Sequence, residues 1–189
     1  MDGYTRADDH PLAEAAANGE PRMKWVRIRA ASRGDMDAVM DIEETCFSLP
    51  WSRNDIERDI ADNILSAYFV AETAGAVCGC AGMWVVLGEC HIMTIAVTPE
   101  HRQAGVGAML LMKLLDEARL RGASRYLLEV RASNAPAIGM YEKFGFKTID
   151  VRRAYYENNK EDAVIMERND RPVQPVDEGI RADSLDEKR

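Results

Sequence analysis

Apolar and polar positions along this chain follow two rhythms that take turns. Trp25-Val26-Arg27-Ile28-Arg29-Ala30 alternates, as a strand with one buried face does. Ser32-x-x-Asp35 reads as a capping box with Asp in place of Glu, and it predicts a helix through about Cys46. Ser52-x-x-Asp55 repeats the device for a shorter helix ending near Asp62. Ala67 to Thr73 and Ala76 to Val86 read as strands joined through Ala74-Gly75, with Glu89 to Val97 as the third strand of that meander. Over 105–121 the period becomes helical: Leu110, Leu111, Leu114, Leu115 and Ala118 share a face, and Gly122 follows as a stop. Tyr126 to Val130 is a short strand, and Ala135 to Phe144 a helix closed by Gly145. Phe146 to Arg153 and Asp162 to Glu167 are the last strands. The order β-α-α-β-β-β-α-β-α-β-β implies a mixed sheet with helices on its faces, and no internal repeat interrupts it.

Both ends depart from this pattern. Residues 1–22 carry acids, arginines and alanines without a sustained period, and 169–189 is charged and proline-bearing. They read as a weakly ordered extension and a charged tail around one domain over 23–168. The longest apolar run, Ala76 to Gly88, is 13 residues and broken by glycines, shorter than the roughly 20 a bilayer-spanning helix needs. Residues 1–22 lack the basic start and apolar stretch of a secretory signal. A formal net charge of −8 argues against a nucleic-acid surface. Cys46, Cys78, Cys80 and Cys90 form no Cys-x-x-Cys pair, and Cys78 and Cys80, two apart on a strand, are expected to share a face. They read as buried thiols in a reducing cytoplasm, with no metal site.

The segment that asks for a ligand is Ile95-Ala96-Val97-Thr98-Pro99-Glu100-His101-Arg102-Gln103-Ala104-Gly105-Val106-Gly107-Ala108. A strand ends, Pro99 turns the chain, and a glycine-bearing loop runs into an amphipathic helix. That arrangement aims free backbone N–H groups at one spot with the positive helix end behind them, which suits phosphate oxygens. Gly105 and Gly107 let the backbone approach an anion. A helix start with two permissive glycines is the plainer alternative. The Rossmann and P-loop spacings are both missing.

Arg102-x-x-Gly105-x-Gly107 after a strand ending Ile95-Ala96-Val97-x-Pro99 resembles the GNAT acetyltransferase superfamily. Several stretches are similar to its RimI-type and archaeal N-terminal acetyltransferases. They are Phe47-x-x-Pro50-Trp51-Ser52, Leu128-Glu129-Val130-Arg131-Ala132-Ser133-Asn134 and Ala137-Ile138-x-x-Tyr141-Glu142-x-x-Gly145-Phe146, with Arg153-x-Tyr155-Tyr156 and Glu161-Asp162-Ala163. The resemblance covers nearly all of 24–167. It implies the GNAT fold, α/β (α+β) in class, with a mixed, mostly antiparallel sheet of about seven strands flanked by about four helices. It also implies acetyl-CoA as co-substrate, held by Arg102 to Ala108, by Asn134 and by Ile95, Ala96 and Val97. Ala104 departs from a loop that often carries a basic or polar residue there.

Acetyl transfer needs a neutral amine, a polarised carbonyl and a proton for the departing thiolate. An α-amino group, with a pKa of about 8, needs only a modest base at neutral pH, whereas lysine sits near about 10.4. Glu129 is the candidate base, since a carboxylate inside an apolar strand is costly unless paired or in a wet cleft. An outward-facing strand glutamate is the plainer reading. The resemblance adds His91 as a second base and Tyr141 as the proton donor to sulfur. Asn134 and Tyr141, two helical turns apart, are expected on one face. Leu49-Pro50-Trp51 and, in the loop before the last strand, Tyr155 and Tyr156 are expected to hold an extended peptide.

The implied partners are protein or peptide N-termini, a ribosomal protein among them, for a monomer or weak dimer. Three other readings stay open: a lysine or small-amine acetyltransferase, a non-catalytic acyl-CoA sensor, and a scaffolding protein.

Overall fold

A computed structural model describes residues 9–15 and 21–170, with side chains from Trp25 onward. Its strands are β1 (Asp9–Ala15), β2 (Pro21–Ala30), β3 (Ser66–Thr73), β4 (Ala76–Val86), β5 (Glu89–Val97), β6 (Arg125–Arg131), β7 (Lys147–Tyr156) and β8 (Glu161–Asn169). They form one sheet in the order β1-β2-β3-β4-β5-β6-β8-β7. Every pairing is antiparallel except β5 with β6.

The architecture is the mixed, mostly antiparallel sheet expected, with one strand more. β1 lies in the extension read as weakly ordered and pairs with β2, which itself starts at Pro21. The rest of that extension, and the charged tail beyond Asp170, lie outside the described residues. Among those described, no helix is long and apolar enough to cross a membrane.

Four α-helices cover the sheet: α1 (Met36–Cys46), α2 (Arg53–Ala61), α3 (Val106–Leu120) and α4 (Ala135–Lys143). Ser32 and Ser52 open α1 and α2 as their sequence signals imply, Ser32 through a short 3-10 turn over Arg33–Asp35 and Ser52 by accepting a bond from the Asp55 amide. α3 buries Val106, Met109, Leu110, Leu111, Leu114, Leu115 and Ala118 against one face of the sheet, where α4 adds Tyr141. Truncating a side chain as enclosed as Leu110 to alanine costs about 2–5 kcal/mol. α1 and α2 pack Val39, Ile42 and Ile56 with Tyr68 and Val70 on the other face.

Two bulges decide which side chains meet which helices. One at Cys78 in β4 sends that thiol to the α3 face and Cys80 to the α1 face, so the two cysteines do not share a face as expected. Burial pushes the thiol of Cys78 up to about 11 and that of Cys90 to about 12. The other bulge leaves Met93 of β5 without a partner on β4, because Thr94 pairs with Gly82 and Ile92 with Met83. Ile92 before it faces α3, while Thr94 and Ala96 after it face α1.

Candidate active site

The bulge marks where the sheet opens. β5 and β6 pair in parallel from Glu89/Arg125 to Ile92/Leu128, and there their pairing stops. Both strands run on, β5 to Val97 and β6 to Arg131. The backbone edges of Ile95, Ala96 and Val97 on one side, and Glu129 on the other, therefore border a cleft.

At the foot of that cleft lies the glycine loop. Pro99 starts a 3-10 turn, Gln103 and Gly105 take left-handed conformations (φ 60° and 87°), and Val106 begins α3. Gly105 is the helix N-cap, and no side chain caps the amides that follow. Those first-turn N–H groups have no partner within the helix. Arg102 folds back instead of reaching outward: Nε donates to the Val97 carbonyl at 3.0 Å and Nη2 lies 3.5 Å from Cys46 Sγ. Asn134 is the N-cap of α4, its Oδ1 accepting from the Ala137 amide at 3.3 Å.

Glu129 is neither buried nor alone. On the α1/α2 face of β6, its Oε1 accepts from Arg152 and its Oε2 from the Tyr155 hydroxyl at 2.5 Å. Arg152 also sits 5.6 Å from the Tyr155 ring centroid. A carboxylate offers about four lone-pair sites, so two bonds leave room for a water.

Tyr155 and Tyr156 are not in a loop, as expected, but end β7, where two extra residues between Arg152 and Tyr156 interrupt the pairing with β8. Within that interruption Ala154 is left-handed (φ 51°), its amide held by Asp162 Oδ1 at 2.9 Å. The two rings pack edge to face at 5.2 Å.

Tyr141 is buried on α4, edge to face with Phe146 at 5.8 Å. Burial, with Tyr156 nearby, pushes its phenol up, so it stays protonated through neutral pH. Tyr156 lies within electrostatic reach of both Tyr141 and Glu129, so acid and base candidates share one neighbourhood. His91 is less central. It sits level with Leu127, two positions before Glu129, and its Nε2 is 3.5 Å from Glu89 rather than bonded to Glu129.

The exposed side chains of Leu49 and Trp51 stand on the other wall, and Trp51 lines a small niche with Ile56, Met93 and Thr94. Beneath it lies Glu43 of α1, fully buried, whose Oε1 accepts from Thr94 Oγ1 at 2.8 Å. Its Oε2 makes no hydrogen bond among the described residues. Burial raises its carboxyl pKa, which the hydrogen bond from Thr94 partly offsets. Glu43 and Arg152 were not singled out from sequence, though Arg152 directly precedes the Arg153-x-Tyr155-Tyr156 motif.

A model of the acetyltransferase (GNAT) family matches residues 36–146. The chain belongs to the GNAT acetyltransferase family. The ribosomal protein bS18-alanine N-acetyltransferase of Escherichia coli K12 is 38% identical over 141 residues, covering 74% of this chain and 94% of that protein. The crystal structure of the ribosomal-protein-S18-alanine N-acetyltransferase from Escherichia coli superposes with a TM-score of 0.70 at 34% identity, over 82% of this chain and 98% of that one. Ard1 from Thermoplasma volcanium follows at TM-score 0.69 and 27% identity, over 77% and 98%. Within the GNAT family the chain is thus of the RimI type, an acetyl-CoA-dependent N-acetyltransferase.

The loop fits that co-substrate. A Cβ at Gly105 would meet nothing within 4 Å, so it is the left-handed φ and not crowding that favours glycine there. A Cβ at Gly107 would stand 3.6 Å from Met140 Sδ and 3.8 Å from Val97 Cγ2. It would therefore point between α4 and the end of β5, where the cleft opens.

Proposed function

We propose that this protein transfers the acetyl group of acetyl-CoA to the free α-amine of a protein or peptide N-terminus. The observation that carries the reading is Glu129, held by Arg152 and Tyr155 where β5 and β6 part. Acetyl-CoA supplies the activated acyl group as a thioester. The amides of Gln103 to Ala108 hold its pyrophosphate, with Arg102 and Asn134 beside them, and the backbone of Ile95, Ala96 and Val97 aligns the pantetheine arm.

The amine nitrogen forms the new bond to the acetyl carbon as the carbon–sulfur bond breaks. Glu129, acting through a water, takes the amine's proton, and the Tyr141 hydroxyl gives one to the departing sulfur. A protonated, buried phenol is suited to that donation. His91 is the second candidate base, placed less directly because its Nε2 faces Glu89 at 3.5 Å. Leu49, Pro50 and Trp51 form one wall of the peptide site, Tyr155 and Tyr156 the other.

A ribosomal protein with an N-terminal alanine is the first substrate to try, because the Escherichia coli relative carries that specificity in its name. A panel of free-α-amine peptides and Nα-blocked lysine peptides, read by mass spectrometry, tests the assignment. Acetylation confined to free α-amines is expected, and acetylation of only the blocked lysine peptides contradicts it.

A further inference from the structure

β5 changes its support half-way along. At Ile92 it is paired on both sides, with Met83 of β4 and Leu128 of β6. At Met93 the pairing with β4 is interrupted, and the pairing with β6 has already stopped. From Thr94 to Val97 the strand is held along one edge only, against Gly82 to Gly79 of β4. Its other edge borders the cleft.

α1 packs behind this half-supported stretch and bonds it at both ends. Thr94 Oγ1 donates to Glu43 Oε1 at 2.8 Å, and Cys46 Sγ donates to the Val97 carbonyl at 3.4 Å. Glu43 and Cys46 are three apart on the helix and so share a face, and their two bonds bracket Ile95 and Ala96. The thiol is a weak donor. The Glu43–Thr94 bond is the stronger pin, since its partners are 0% and 6% exposed and water does not compete for it.

A buried carboxyl is a costly way to make one hydrogen bond. Its second oxygen makes none among the described residues. Where only stability is at stake, two apolar groups of the same shape serve about as well as such a pair. Acetyl transfer, as proposed, draws on Glu129, His91 and Tyr141 and leaves Glu43 unused. What a polar pair adds to an apolar one is direction. The Thr94 hydroxyl has to point at α1, and that sets the turn of the strand directly after the bulge.

We propose that Glu43 is a positioning residue for acetyl-CoA, acting through Thr94 to hold the Ile95–Val97 edge at the angle the pantetheine arm requires. The proposal rests on the assignment of that edge to the arm. It gives a task to a buried acid outside the transfer chemistry, and it makes affinity at the thioester end depend on a bond behind the sheet.

The test is calorimetric binding of two probes with no amine present. One is coenzyme A; the other is 3′-phospho-ADP, which carries the pyrophosphate and lacks the pantetheine arm. Thr94→Val, nearly the same in shape, should bind coenzyme A about tenfold more weakly, the size expected for one lost hydrogen bond, and 3′-phospho-ADP as wild type does. Glu43→Gln keeps the acceptor and should bind both probes as wild type does. Glu43→Met/Thr94→Val replaces both partners by apolar groups. It should recover melting temperature relative to Thr94→Val and keep the weakened coenzyme A affinity, which a merely stabilising pair would not do. A folded Thr94→Val with wild-type affinity for coenzyme A overturns the proposal. So does a Glu43→Gln as weak as Thr94→Val, or an equal loss for both probes. A wild type that binds coenzyme A no more tightly than 3′-phospho-ADP overturns the assignment of the edge to the arm, and the proposal with it.

Discussion

On the proposed cofactor side of the cleft, the groups assigned to the ligand are backbone amides of one continuous stretch, Gln103 to Ala108, backed by the dipole of α3. On the proposed substrate side they are side chains from separate segments, Trp51 from one turn, Glu129 from β6, Tyr155 and Tyr156 from β7, with Arg152 and Arg131 bracing Glu129 and Tyr156. The first is fixed by local conformation and carries little chemical selectivity. The second depends on sheet register and on ion pairs across strands. The cofactor side is thus expected to tolerate side-chain change, and the substrate side to respond to it.

The largest effect expected is on turnover. Glu129→Gln should lower kcat by about 100-fold or more, in the range of a lost general base. Binding of acetyl-CoA, followed by calorimetry, should stay at the wild-type level. Tyr141→Phe should behave alike, and retention of full turnover in both variants would remove the assignment of base and acid. Next comes Gly105→Val, whose β-branched side chain must adopt φ 87° at a cost of about 1–2 kcal/mol. It should weaken acetyl-CoA binding about tenfold and leave the peptide KM alone, whereas Ala104→Ser should change neither. Asp162→Ala frees the left-handed Ala154 amide, so the peptide KM should rise several-fold with no change in cofactor affinity.

The smallest effects are in pH dependence, and they have opposite signs. Hydrogen bonds from Ser133, chiefly, with Asn159 and Arg131, hold Glu161 at about 2, below its ordinary 4.5. Its contribution to stability is present above about 4.5 and lost as pH falls toward about 2. The β7–β8 turn should therefore loosen in acid before α3 does, which amide hydrogen exchange at successive pH values can follow. Glu43 is raised from 4.5 by burial, so its contribution is greatest at low pH and lost as pH climbs through its folded value. Glu43→Gln should gain thermal stability relative to wild type at neutral pH and match it near pH 4. A variant less stable than wild type at both values would contradict a raised Glu43.

The same division explains what was legible from sequence. The glycine loop, α3 and the strand before it are contiguous, so spacing alone located them. Glu129 was visible as a charge inside an apolar strand, but its partner was not. Pairing Glu129 with Arg152 and Tyr155 requires the β6-β8-β7 order and the extra residues between Arg152 and Tyr156. Cys78 and Cys80 were misplaced for a related reason, because a strict period of two does not anticipate the bulge that parts them. Arg131 lay inside a motif already noted, yet nothing local says that its guanidinium donates to Ser48, Asn158 and Glu161. β1 was missed because Asp9–Ala15 shows no apolar alternation.

The most direct test of the central claim is the rate with which purified protein and acetyl-CoA acetylate two matched peptides. One begins with a free N-terminal alanine and lacks lysine; the other is Nα-blocked and carries a single lysine. The proposed α-amine acetyltransferase predicts rapid acetylation of the first and little of the second. Equal rates, or acetylation of the lysine peptide alone, would contradict it.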